Sequence, residues 1–187
     1  MLVSVNDLVR RLRGPRLRSN EVAAARRRIA AGAREDTTEE EVTLAHEMRE
    51  LRPAIAAAFA SVRSCSGCAT SRPLPHGRWE GGFCCGGPTS GVFDDDESAV
   101  LALAGTRPRD LRPPPGDHAG CAFRGPQGCS LRPEDRPSLC LRFVCRALEG
   151  ELRAAGRWDH VRTMTRRLDE AFARFVRVRR ARRETSS

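Results

Sequence analysis

Eight cysteines fall between positions 65 and 145 of this 187-residue chain: Cys65, Cys68, Cys84, Cys85, Cys121, Cys129, Cys140 and Cys145. Cys65-Ser66-Gly67-Cys68 has the C-x2-C spacing that lets two thiolates reach one ion, and Gly67 eases the tight turn between them. Crowding as many as eight thiolates into one small region is very unfavourable without cations. A divalent metal or an iron–sulfur cluster offsets that charge and lowers the thiol pKa enough to deprotonate it. At about 4% of the chain, the cysteines are too sparse for a scaffold built on disulfides. The expected cofactor is therefore zinc or iron, with an iron–sulfur cluster as one form of the latter.

Cys84 and Cys85 are adjacent, and neighbouring side chains rarely aim at one point, so the pair is expected to bridge two metal positions or serve two sites. Eight thiolates suffice for two four-cysteine sites, or for one site plus spare redox-active cysteines. His76 and His118 are further donors, whereas His46 and His160 fall on expected helices. Arg124, Arg132, Arg136 and Arg142 are placed to donate hydrogen bonds to sulfur around the ligands. Asp94, Asp95, Asp96 and Glu97 can coordinate a hard cation, but consecutive acids at a helix start more often complement its dipole.

The cysteine pattern has a family likeness. Cys65-x2-Cys68, Cys84-Cys85-Gly86-Gly87, Gly120-Cys121-x-Phe123 and the run Gly128-Cys129-Ser130-Leu131-x-Pro133-Glu134-x-Arg136-Pro137-x-x-Cys140-x-x-Phe143-x-Cys145 together resemble the YkgJ-like cysteine-cluster family. That resemblance covers roughly residues 65–145 and implies a zinc- or iron-chelating domain, distantly related to flagellin lysine methylases. The family commonly sets two residues between the second cysteine and the Cys-Cys pair. Here fifteen residues, 69–83, intervene.

Helices must carry this centre. Val5 and its neighbours suggest a short helix over about 4–13, stopped by Gly14-Pro15, with a second from about 20 to 33. The strongest helical signal spans about 38–63, opened by a Thr37/Glu40 capping box. Its apolar stripe is Leu44, Met48, Leu51, Ile55, Ala58 and Val62, with a kink or break expected near Pro53. Residues 94–104 read as a helix capped by Asp94 and Glu97 and stopped by Gly105. Residues 120–123 and 128–131 read as a hairpin, 132–137 as a turn, and 138–153 as a helix. A last helix from Trp158 shows a seam of Val161, Met164 or Thr165, Leu168, Phe172, Phe175 and Val178 or Arg179, expected to pack on the 38–63 helix. The fold class expected is thus mainly α, with long helices around a loop-rich, cysteine-clustered metal-binding centre and a short β-hairpin. Residues 1–36 read as a helical extension, 37–178 as one cysteine-cluster domain with flanking helices, and 179–187 as a basic disordered tail.

Charge weighs the remaining functions. The net charge is +9, and all 33 basic residues are Arg. Residues 65–145 are neutral overall, while 146–187 carry twelve Arg against six acids, and 10–28 carry eight Arg against one. A nucleic-acid-binding zinc module would place positive charge on or beside its cysteine scaffold. The alternatives to a metal-binding protein supporting a redox or protein-modification reaction are therefore a zinc-stabilised nucleic-acid-binding module with basic flanks, or a protein-interaction platform. A metal ion is the first partner expected, a protein next, and a nucleic acid after that. With no Lys there is no phosphate-loop lysine, and no nucleophile has a recognisable base, so the sequence leaves catalysis open. No run approaches ~18 apolar residues, which predicts no membrane span. The first residues lack a basic leader and an apolar stretch, which predicts a cytoplasmic protein with reduced thiols.

Overall fold

The computed structural model describes residues 5–62, 89–115, 121–125 and 128–185. Among these residues the protein is mainly helical. Its helices are α1 (Val5–Gly32), α2 (Glu39–Ala60), α3 (Asp95–Leu103), α4 (Ser138–Arg142), α5 (Arg146–Ala154) and α6 (Trp158–Thr185). Between α3 and α4, strands β1 (Arg124–Gly125) and β2 (Gly128–Cys129) form a two-stranded antiparallel hairpin, with Arg124 opposite Cys129. None of the described helices is long and apolar enough to cross a membrane.

Helix α2 forms the spine. Its N-cap is Thr38, whose hydroxyl accepts the Glu41 N–H at 3.2 Å while the Glu41 carboxylate accepts the Thr38 N–H at 2.8 Å. The box lies one residue beyond Thr37/Glu40 because Glu41 is buried and also binds Arg182 of α6. A tertiary partner has chosen between two equivalent local caps. The whole predicted stripe from Leu44 to Val62 is buried. Helix α2 does not break at Pro53: the proline sits on the exposed face, where water can satisfy the carbonyl it leaves unpaired, and its φ is itself helical. Likewise α1 runs through Gly14-Pro15 as one helix rather than two.

Two apolar clusters make the core. The first joins α2 to α6, with Leu44, Met48 and Ile55 against Val161, Leu168 and Phe175, as the two seams predicted, and takes in Leu141, Leu148 and Leu152. The second gathers Val22 and Ile29 from α1, Val92, Phe93, Leu101, Leu111, Phe123 and Leu131. Burial of side chains such as Ile29 contributes about 1.5–3 kcal/mol each, so the C-terminal half of α1 is tied to the packed body.

Three local features differ from the sequence reading. The strands start at Arg124, later than 120–123, because Ala122 and Phe123 are buried in the second cluster and the Ala122 N–H donates to the Thr89 hydroxyl at 2.9 Å. The 138–153 helix is split, since Phe143 leaves α4 in an extended conformation. The basic C-terminus is ordered helix through Thr185, not a frayed tail. Arg179 is 1% exposed and donates to the Asp95 carbonyl at 2.7 Å, to Asp96 at 2.9 Å and to Glu35 at 2.6 Å. Arg182 and Arg183 add pairs to Glu41 and Glu35.

Candidate metal centre

Three of the described cysteines pack in or against one apolar cluster. Cys121, just ahead of β1, is 7% exposed and lies within the second cluster. Cys129 on β2 and Cys140 on α4 are partly buried against the same cluster. Cys145, at the N-cap of α5, packs instead against the first cluster. Among the described residues no group of three or more His, Cys, Asp or Glu is placed to hold a metal ion. Cys65, Cys68, Cys84 and Cys85, with His76 and His118, lie outside the described residues. Thiols are the donors that thiophilic cations such as zinc or iron prefer, and the described ones come from three separate elements.

The segments that carry Cys121, Cys129 and Cys140 are fixed by polar ties. On the hairpin side, Glu21 of α1 accepts the Thr89 hydroxyl at 2.7 Å, and that same oxygen accepts the Ala122 N–H beside Cys121. The Phe93 and Phe123 rings pack at 5.4 Å between centroids, inclined by 53°. Ser130, next to Cys129, donates its N–H to the Phe123 carbonyl at 2.8 Å and its hydroxyl to the Arg112 carbonyl at 2.7 Å.

The Cys140 segment is held by a buried ion pair. Arg52 of α2 and Glu97 of α3 lie 3.2 Å apart, with their side chains 0% and 4% exposed. Ser138, two residues before Cys140, donates its hydroxyl to the same Glu97 oxygen at 3.1 Å, and Arg52 also reaches that hydroxyl at 3.4 Å. Burial pushes the Glu97 carboxyl above its ordinary value against the pull of Arg52, and burial lowers Arg52 in turn. Close by, buried Asp135 accepts from Thr106 at 2.8 Å and from Arg132 at 2.7 Å, which pins the turn leading into α4.

The acidic run at α3 is not a cation site. Asp94 accepts the Glu97 N–H at 2.7 Å as N-cap, Asp95 pairs with Arg28, Asp96 with Arg179, and Glu97 with Arg52. Four carboxylates that were adjacent in sequence serve four different partners. Most of the arginines expected around sulfur are likewise committed to oxygen. Arg132 binds Asp135, Arg136 donates to the Leu131 carbonyl, and Arg142 pairs with Asp169 while lying 5.7 Å over Phe172. Arg124 alone of that set is buried in the hairpin, opposite Cys129. His46 and His160 are exposed on α2 and α6.

Arg52, Glu97 and Ser138 were not predicted as a unit. A signal was present: Arg52 lies four residues after Met48 and four before Ala56, on the buried side of α2. No family model, curated protein or solved structure matches the chain.

Proposed function

We propose that the chain is a metal-binding cysteine-cluster protein of the YkgJ-like kind, working in a reducing cytosol. It holds zinc or iron, the latter as ions or as an iron–sulfur cluster, through Cys121, Cys129 and Cys140 together with Cys145, Cys65, Cys68, Cys84 and Cys85. The observation that carries this reading is the approach of Cys121, Cys129 and Cys140, from a turn, a strand and a helix, to one apolar cluster. When bound, zinc supplies a closed structural knot, whereas an iron–sulfur centre supplies electron transfer to a redox or protein-modification reaction.

Part of the flanking positive charge is committed within the protein, which favours this reading over nucleic-acid binding. Arg167, Arg174, Arg179, Arg182 and Arg183 pair with Glu47, Glu40, Glu35, Asp96 and Glu41 of the protein itself. Arg26 and Arg28 donate to the Leu111 and Phe93 carbonyls. Charge spent on internal partners is not available to phosphates.

Elemental analysis with a visible spectrum of protein purified without oxygen tests the proposal. Iron and sulfide with broad absorbance near ~400 nm identify a cluster, and colourless protein with stoichiometric zinc identifies closed sites. Metal-free protein that is fully folded overturns the reading.

A further inference from the structure

A buried ion pair is a poor device for stability alone, because desolvation of both charges offsets most of their attraction. The Arg52–Glu97 pair is poorer than most: Arg52 Nε and Nη1 are buried with no hydrogen-bond partner among the described residues. Two apolar side chains of similar volume would fill the junction of α2, α3 and α4 about as well. What they could not provide is a fixed acceptor at the first residue of α4. Glu97 Oε1 takes the Ser138 hydroxyl at 3.1 Å, and Arg52 Nη2, at 3.2 Å from the same oxygen, holds it in place. Helix α4 has only five residues, too few to be stable by itself. Its start is held by this anchor together with the Asp135-pinned turn and the burial of Leu141, and Cys140 rides one half-turn further along.

We propose that Glu97, held by Arg52, is a positioning residue for Cys140: through Ser138 it fixes the start of α4 so that the Cys140 thiol is presented at the cysteine cluster. This rests on the metal-binding reading above. Neither residue touches the metal. Glu97 acts through a hydrogen bond to the chain that carries one ligand, and Arg52 acts through Glu97.

Two rates measured on the protein as purified test this: removal of metal by EDTA, and alkylation of Cys140 by iodoacetamide, read by peptide mass spectrometry. Arg52→Met/Glu97→Met removes the acceptor without leaving a lone buried charge, and Ser138→Ala removes the donor while leaving the ion pair. Both variants should keep the wild-type melting temperature within a few degrees yet speed both rates about tenfold. Arg52→Met/Glu97→Gln, which restores an acceptor without the charge, should return both rates to within about twofold of wild type. Rates unchanged in Ser138→Ala and in the double methionine variant overturn the proposal. So does a glutamine variant as fast as the methionine one. If the double variants do not fold, Ser138→Ala decides alone. If wild-type protein carries no metal, the functional reading falls, and the alkylation comparison by itself judges the positioning role.

Discussion

Gly32, at the end of α1, lies so close to Ala99 of α3 that a Cβ at position 32 would stand 2.8 Å from the Ala99 Cα. The obstacle is backbone, which cannot swing aside as a side-chain tip can. Helix propensity favours alanine over glycine by about 1 kcal/mol, yet overpacking costs about 1–3 kcal/mol. Gly32→Ala should therefore destabilise the protein, measured by chemical denaturation. An unchanged or raised midpoint would mean that α1 does not approach α3 this closely.

The last turns of α6 should be indispensable to stability. Removing residues 179–187 deletes Arg179, Arg182 and Arg183, and leaves Glu35, Glu41 and Asp96 without their cations. Charge-assisted hydrogen bonds of this kind are worth about 1.5–3 kcal/mol where partly buried. Thermal unfolding should fall by about 4–8 °C for a loss near 2 kcal/mol in a chain of this size. Deletion without effect would show that the arginines are dispensable.

The same network sets an acid limit. Burial works against ionisation of Glu41, but hydrogen bonds from Thr38 and Arg182 prevail and hold it below the ordinary value of 4.5. Glu35 is lowered likewise, against burial, by Arg179 and then Arg183. A carboxyl depressed in the folded state contributes stability that is present above the unfolded value and lost as pH falls through the folded one. Stability should thus decline below about pH 4.5, and Glu41→Gln should flatten that decline in a pH series of denaturation midpoints. Glu97 has the opposite sign, because its raised carboxyl favours protonation in the folded state. An acid limb identical in wild type and Glu41→Gln would refute the assignment.

Ligand substitutions should divide unequally. Cys140→Ser should reduce bound metal and melting temperature more than His118→Ala, as direct ligation by the thiol requires. Cys145→Ser, at a position packed on the first cluster, should retain more metal than Cys140→Ser. Metal per chain by elemental analysis is the readout, and equal small losses in all three variants would remove Cys140 from the ligand set.

The seams from Leu44 to Val62 and from Val161 to Phe175 were legible in sequence because burial on a helix repeats every 3.6 residues, whatever lies opposite. Asp94 and Gly105 were legible for a similar reason, since a cap and a positive φ are local demands, and Gly105 has φ of +91°. What escaped depended on partners far along the chain. Glu97 has capping-box spacing, yet its carboxylate goes to Arg52, 45 positions away. The cap falls at Thr38 and not Thr37, where Glu41 is buried and paired with Arg182. Residue type and spacing marked the cysteines as candidates for one shared centre. Which of them gather at the second cluster depended on how the hairpin and α4 pack, and periodicity carries no trace of that.

The seating of Val22, Ala25 and Ile29 in the second cluster bears on how the polypeptide can be trimmed. A fragment beginning at residue 37 would leave Val92, Phe93 and Leu111 facing water where the first helix had covered them, and would strip Thr89 of its glutamate. Such a fragment would be sticky and loose next to its thiols, prone to air oxidation and aggregation. A protease cutting between the first two helices would produce the same outcome once the severed helix dissociated.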